Sequence, residues 1–255
     1  MAVKSSGSLS FNTDIVGEFG GSTPHSLSEY YRGGDNVPSA VTDIPSSGAI
    51  DFSDFYGTSN ALTVTYHVVG AGGGGGGAGR TDSAATGGTG GSTSVSGSGI
   101  TTITATGGGG GTGGLRVSGV SGGDTVNAGG AGVTIGGVER GAGGDSAFNQ
   151  GGGDDTEHSG GGGGGAGGAG TSGGGSDGTG GAAAQYHTGT FTATVGTVLT
   201  ITIGTGGARG LNYLNNDYAG GYSGNDNAQA GDDGFVRLTI DGTDHDFTSS
   251  GTHTV

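Results

Sequence analysis

Six stretches of near-continuous glycine, at 70–79, 107–114, 129–137, 160–170, 173–181 and more loosely 219–224, constrain this chain more than any other feature. A glycine run has no side chains, so it buries no apolar surface and nucleates no ordinary core. Its amides and carbonyls still require partners. An extended left-handed helix of three residues per turn points all of them outward. Several such helices laid side by side can bond to one another on every flank, and only glycine permits that spacing, because a Cβ would hold the backbones apart. Ordering glycine costs more entropy than ordering any other residue. Dense backbone bonding, anchored by the strands flanking each run, has to offset it. The reading is an ordered bundle of glycine helices, with a floppy linker as the alternative.

Composition closes off most other classes. Glycine supplies 71 of 255 residues, yet there are only 3 prolines and no strict three-residue repeat, which excludes collagen. No apolar window is long enough for a membrane-spanning helix, and MAVKSSGSLS lacks the apolar stretch of a signal peptide. The absence of cysteine excludes disulfides and thiolate metal sites. Seven basic residues against 22 acidic ones give a net charge of −15. With Lys4 the single lysine, no basic patch exists to neutralise phosphates, so nucleic acid is not an expected partner. The acidity also suits a high-salt setting, where screening weakens self-repulsion.

The chain divides at about residue 60. Residues 1–60 are glycine-poor and hold Pro24, Pro38 and Pro45 and seven of the 16 aromatics. Ile50 and Phe52 alternate with Asp51 and Ser53, which reads as a strand. So short a segment makes a marginal independent domain, so Tyr30, Tyr31, Phe52, Phe55 and Tyr56 are expected to bury against a partner chain. Residues 61–255 carry strand patterns at 62–69, at 94–105 as a pair, at 188–207 as a hairpin turning near Val195–Thr197, and at 234–240. The expected fold class is mostly β. A small antiparallel framework of the strands near 61–69, 188–204 and 234–240 would carry packed polyglycine-II-type helices, with little or no α-helix.

Two portions of the sequence resemble proteins of one kind. SLSF, SLSEYYRGG and IPSSGAIDFSDFYG resemble an attachment module common near the N-terminus of tail-fibre and tail-tip proteins of tailed viruses. The order of VGAGGGGGG, TGTFTATVGTVLTITIGTGG, a GG-Tyr step and GFVRLTI resembles their glycine-rich domain. The resemblance implies a virion tail protein, exposed outside the host cell. It would dock by its N-terminus on a fibre or baseplate protein and present loops of layered glycine helices to a host glycan or protein, as a receptor-binding adhesin. The alternative is a structural connector or decoration protein with no receptor role. Either a monomer on an oligomeric fibre or a homotrimer fits. The chain departs from the pattern by a long glycine-rich insert at about 80–182 and by its acidity.

Sites follow from where glycine is interrupted, since contacts need side chains. Asn212, Tyr213, Asn215, Asn216 and Tyr218, with Asn225, Asp226 and Asn227 and with Phe148 and Asn149, are the receptor-contact candidates. Tyrosine gives rigid contact area and asparagine adaptable hydrogen bonding; the same rings serve equally well as caps on the glycine lattice. Asp154 and Asp155, and Asp244 and Asp246, are weak candidates for a hard cation, and neither pair has EF-hand spacing. No cofactor is expected. The G-x-G-x-x-G and G-x-S-x-G matches are chance at this glycine density and lack the strand–helix context they need. No enzymatic activity is expected.

Overall fold

A computed structural model describes residues 2–79, 86–115, 127–146, 148–149, 158–159, 161–172, 178–211 and 228–255. Its strands are β1 (Ala61–Val69), β2 (Ala78–Gly79), β3 (Thr93–Gly97), β4 (Ile100–Ala105), β5 (Gly114–Leu115), β6 (Val133–Ile135), β7 (Val138–Arg140), β8 (Phe148–Asn149), β9 (His158–Ser159), β10 (Tyr186–Thr194), β11 (Val198–Thr202), β12 (Phe235–Ile240), β13 (Thr243–Phe247) and β14 (Gly251–Thr254). Strand makes up 30% and helix 9%, so the chain is mostly β as its sequence reads.

The glycine runs are ordered and bonded to one another. In segment 70–77 the amides of Ala71 and Gly74 donate to Gly91 and Gly88, those of Gly72 and Gly75 to Asp232 and Gln229, and those of Gly73 and Gly76 to Gly164 and Gly161. Every third residue thus returns to the same neighbour, which is the threefold helix of polyglycine II. Its carbonyls accept from Gly108 and Gly111, from Gly207 and Gly210, and from Gly144. Residues 71–77 therefore have six neighbouring segments. Segment 161–165 also has six: 70–77, 106–114, 178–185, 169–172, 127–132 and 141–146. The remaining eight of ten described segments close a ring around these two, in the order 203–211, 86–92, 106–114, 178–185, 169–172, 127–132, 141–146 and 228–234.

Close approach explains the glycine. A β-carbon built on Gly72, Gly73, Gly74, Gly75 or Gly76 would fall on the carbonyl oxygen of Ala142, Gly109, Ala208, Asp145 or Thr112 respectively, well inside any tolerable separation. In the outer segments side chains recur at every third position, facing out, as in Thr179, Ala182 and Gln185 or Thr205, Ala208 and Leu211, all exposed. The stretch 80–182 supplies one of the two central segments, 161–165.

Beneath the lattice lies a two-sheet sandwich, with strand orders β10–β1–β12–β13 and β14–β11–β3–β4. Leu62, Val64, Val68, Val236, Leu238 and Ile240 of the first sheet meet Val95, Leu199 and Ile201 of the second in one core. The alternation in β11, with Leu199 and Ile201 buried and Val198, Thr200 and Thr202 exposed, is the period-two pattern of a half-buried strand. The expected 188–207 hairpin does not form. Beyond the turn at Gly196 (φ 87°), β11 crosses to the second sheet, pairing with β3 and β14, while β10 pairs with β1. Alternation alone cannot tell a hairpin from such an arch, since both bury Ala193 and Leu199. Pairing with β1 and β3, remote in sequence, decides it. The 129–137 run also differs from its reading. Its second half is the hairpin β6–β7, turning at Gly136–Gly137 with φ of 60° and 81°, the left-handed pair a tight hairpin turn requires. It covers the outer face of the first sheet, where Ile135 packs with Val69 and Phe235 and the Arg140 guanidinium lies 4.3 Å over the Phe235 ring.

Residues 2–60 have a core of their own, which corrects the premise that they need a partner to bury their aromatics. Val3, Ile15, Phe19, Tyr30, Val37, Ile44 and Phe55 are buried together. Tyr30 and Phe55 are fully buried, Tyr31 and Tyr56 are partly exposed, and Phe52 is 42% exposed. The expected strand around Phe52 is instead a 3₁₀ turn, Phe52–Phe55, closed by a capping box in which Asp51 accepts from the Ser53 amide and Asp54 from the Asp51 amide. Glu18 ties this module to β1, accepting from the Ser59 hydroxyl at 2.8 Å and the Asn60 amide at 2.9 Å. Burial alone would raise its carboxyl, but its hydrogen bonds outweigh that and hold it below the usual range.

Two imidazoles close the sandwich at the β13–β14 side, where His245 and His253 lie 4.5 Å apart with Phe247 edge-on to His253. Burial, then the neighbouring His245 charge, lowers the His253 pKa below its ordinary 6.5. The folded state therefore binds fewer protons there than the unfolded chain, so this contribution is complete above about pH 6.5 and lost as pH falls below it. The melting temperature should decline from pH 7 to 5 more steeply in the wild type than in His253→Gln. Equal slopes would show that the pair does not couple to folding.

Candidate functional site: the free end of the glycine lattice

Hydrogen-bond directions fix the path of the chain. Segments 70–77, 106–114, 141–146, 169–172 and 203–211 run away from the sandwich, and 86–92, 127–132, 161–165, 178–185 and 228–234 run back towards it. Thus 70–77 is antiparallel to 86–92, 161–165 and 228–234, its partner numbers falling as its own rise, and parallel to 106–114 and 203–211. At the sandwich end the turns are β3–β4, β6–β7, the tight turn bridging Gly165 and Gly168, and the β10–β11 arch. Consequently the connections 80–85, 116–126, 147–160, 173–177 and 212–227 all start and finish at the opposite, free end.

The rim of that end is locked by side chains. Thr112 and Thr179 pair through hydroxyls 3.1 Å apart, and the Thr179 amide donates to Thr112 Oγ1 at 2.6 Å. The Asn127 amide donates to Ser146 Oγ at 2.8 Å while the Ser146 amide donates to the Asn127 carbonyl at 3.0 Å, and both residues are buried. Asp145 Oδ1 accepts from the Gly129 amide at 2.8 Å, and Ser172 Oγ from Gly180 at 2.9 Å. Two short ladders, β2–β5 and β8–β9, sit at this end too. These polar locks fix the spacing from which each connection departs.

The candidate residues fall unevenly on this frame. Phe148 and Asn149 form β8, paired with His158 and Ser159 at the free end. Asn212, Tyr213, Asn215, Asn216, Tyr218, Asn225, Asp226 and Asn227, together with Asp154 and Asp155, lie outside the described residues. Their flanks are described: Leu211 is 67% exposed at the rim and Ala228 is buried there. Asp244 and Asp246 are far from this end, on β13, and their oxygens are engaged by Arg237 and by the Thr239 hydroxyl, which donates to Asp244 Oδ1 at 2.7 Å. Arg237 donates to Asp246 through Nε at 2.6 Å and Nη2 at 2.8 Å, and its Nη1 lies 3.0 Å from Asp244. The Arg237 hydrogen bond holds the Asp246 carboxyl below its usual range. These two carboxylates form a surface ion-pair cluster and are not placed as cation ligands. Among the described residues no group of three His, Asp or Glu comes together in metal-binding geometry. Of the docking candidates, Tyr30 and Phe55 serve the module's own core, and Phe52, leaning on Phe11 with ring centres 6.0 Å apart, offers the most exposed ring.

The sequence reading missed the rim locks. Thr112, Thr179, Asn127 and Ser146 look like ordinary polar interruptions, and only the pairing of remote segments gives them a role. Comparison with family models, curated proteins and solved structures finds no match.

Proposed function

We propose that this chain is a surface-recognition protein of a virion tail, an adhesin that docks through residues 1–60 and meets its host at the free end of the lattice. The observation that supports it most is that the described residues flanking all five connections lie at one end of the lattice. A lattice with almost no side-chain freedom holds its far end rigidly, and connections that carry side chains and depart from that end suit a contact surface. The segment 212–227 is the richest of these in tyrosine and asparagine, a composition that suits adaptable contacts with sugar hydroxyls or a protein surface. The test replaces Tyr213 and Tyr218 by alanine and measures host adsorption at fixed salt. Loss of two contact rings should lower adsorption at least about tenfold with the melting temperature unchanged. Adsorption within about twofold of wild type would assign the rings to the lattice and favour a connector without receptor role.

A further inference from the structure

The charge on this protein is segregated. None of its 29 charged residues falls in 86–115 or in 178–208, although the net charge is −15. The fold brings these two stretches together. Segments 86–92, 106–114 and 178–185 are bonded in that order along one flank of the lattice, and they continue into β3, β4 and β10. The opposite flank, 228–234, 141–146 and 127–132, carries Asp145, Asp232 and Asp233 and continues into β12 and β7, with Glu139 and Arg140. On the neutral flank the outward side chains are small or hydroxylated: Thr106, Thr112, Thr179 and Ala182 are exposed.

The sandwich adds an open strand edge on the same side. The Gly70 amide donates to the Gln185 carbonyl and the Val195 amide to the Asn60 carbonyl. That sets the phase of β10 against β1, so that residues 187, 189, 191 and 193 bond inward. The amides and carbonyls of Thr188, Thr190 and Thr192 face outward, and no described residue takes them. The far edge of that sheet, β13, is guarded by Asp244 and Asp246, the usual protection of an exposed edge; β10 has none.

We propose that the neutral flank is an interface between copies of this chain, arranged around an axis parallel to the glycine segments. Two bodies of charge −15 approach with least repulsion where neither carries charge, and depletion of charged residues is the compositional mark of an interface centre. A flank whose outward side chains are small allows close lateral packing. An axis along the rods keeps every free end on one side and every N-terminal module on the other. This inference does not depend on the adhesin reading.

The chain has no cysteine, so single cysteines report position cleanly. Light scattering on the full chain at high salt should give the mass of a closed oligomer. Ala182→Cys, on the neutral flank, should form covalent dimers with a short bis-maleimide, and Ala131→Cys, exposed on the opposite flank, should not. Ala182→Glu should shift the mass to that of one chain with circular dichroism unchanged; if that variant misfolds, Thr190→Asp on the β10 edge carries the same expectation. A monomeric wild type at all concentrations, equal crosslinking at the two positions, or an oligomer that survives the folded acidic variant would each overturn the proposal.

Discussion

Replacing Gly74 with alanine is expected to destabilise the lattice strongly, while the same change at Gly168 leaves its stability nearly unchanged. Gly74 lies in a central segment. Its amide donates to Gly88 at 2.9 Å, its carbonyl accepts from Gly111 at 2.9 Å, and an added β-carbon would meet the Ala208 carbonyl and the Gly207 backbone. None of those groups is the end of a flexible side chain, and each is held by further bonds, so no local shift relieves the overlap. Overpacking a well-ordered core costs roughly 1–3 kcal/mol and sometimes more. A rigid backbone obstacle belongs at or above the upper figure, which lowers the melting temperature of a domain this size by about 6–12 °C. At Gly168 nothing lies within 4 Å of the added carbon and φ is not positive, so alanine there should change stability by less than about 1 kcal/mol, in either direction. Differential scanning calorimetry on both variants decides the matter. Equal melting temperatures would mean that 70–77 is not packed on all sides.

Phe55→Ala should unfold residues 1–60 and spare the rest. The ring is fully buried, set edge-on against Phe19 and Tyr30 with centres 6.2 and 6.4 Å away. Removing a buried phenylalanine costs about 3–5 kcal/mol, most of what so small a core can supply. Limited proteolysis should then cut within 1–60 while the lattice keeps its melting transition. Phe52→Ala, whose ring is 42% exposed, should cost clearly less than Phe55→Ala and leave the module protease-resistant. If Phe55→Ala resists proteolysis as the wild type does, the module draws its stability from elsewhere. Should Phe52→Ala, still folded, fail to enter particles, that ring belongs to the docking surface.

Much of the fold is legible residue by residue. The runs at 70–79 and 107–114 could order in one way only, because glycine alone lets backbones approach to hydrogen-bonding distance on every flank. The period-two patterns of Leu62 to Val68 and of Leu199 and Ile201 marked half-buried strands. Segments 86–92 and 203–211 were readable in principle, since Thr86, Thr89 and Ser92 are spaced by three with glycine pairs between them, but their lower glycine content hid them. The strands β13 and β14 carry no β-branched apolar alternation to mark them, since Asp244, Asp246 and the histidines stand in their place, whereas Arg237 and the two-imidazole contact make them sheet edges.

What the sequence determined by itself is the kind of order available: threefold glycine helices where side chains are absent, strands where β-branched residues alternate, and contacts confined to the interruptions. Those are local properties, written in which atoms each residue does or does not carry. The tertiary structure alone decided which segments lie at the centre, that β10 and β11 part into different sheets, that Phe55 and Tyr30 turn inward, that five connections emerge at one end, and that the uncharged stretches share one flank. The inward turn of Phe55 and Tyr30 depends on apolar packing within residues 2–60, and the rest on hydrogen bonds between residues tens to more than a hundred positions apart, such as Gly73 to Gly164 or Gly72 to Asp232. Glycine segments carry no side chains to distinguish one partner from another, so their neighbours are chosen by the whole packed assembly and by the strands that feed it.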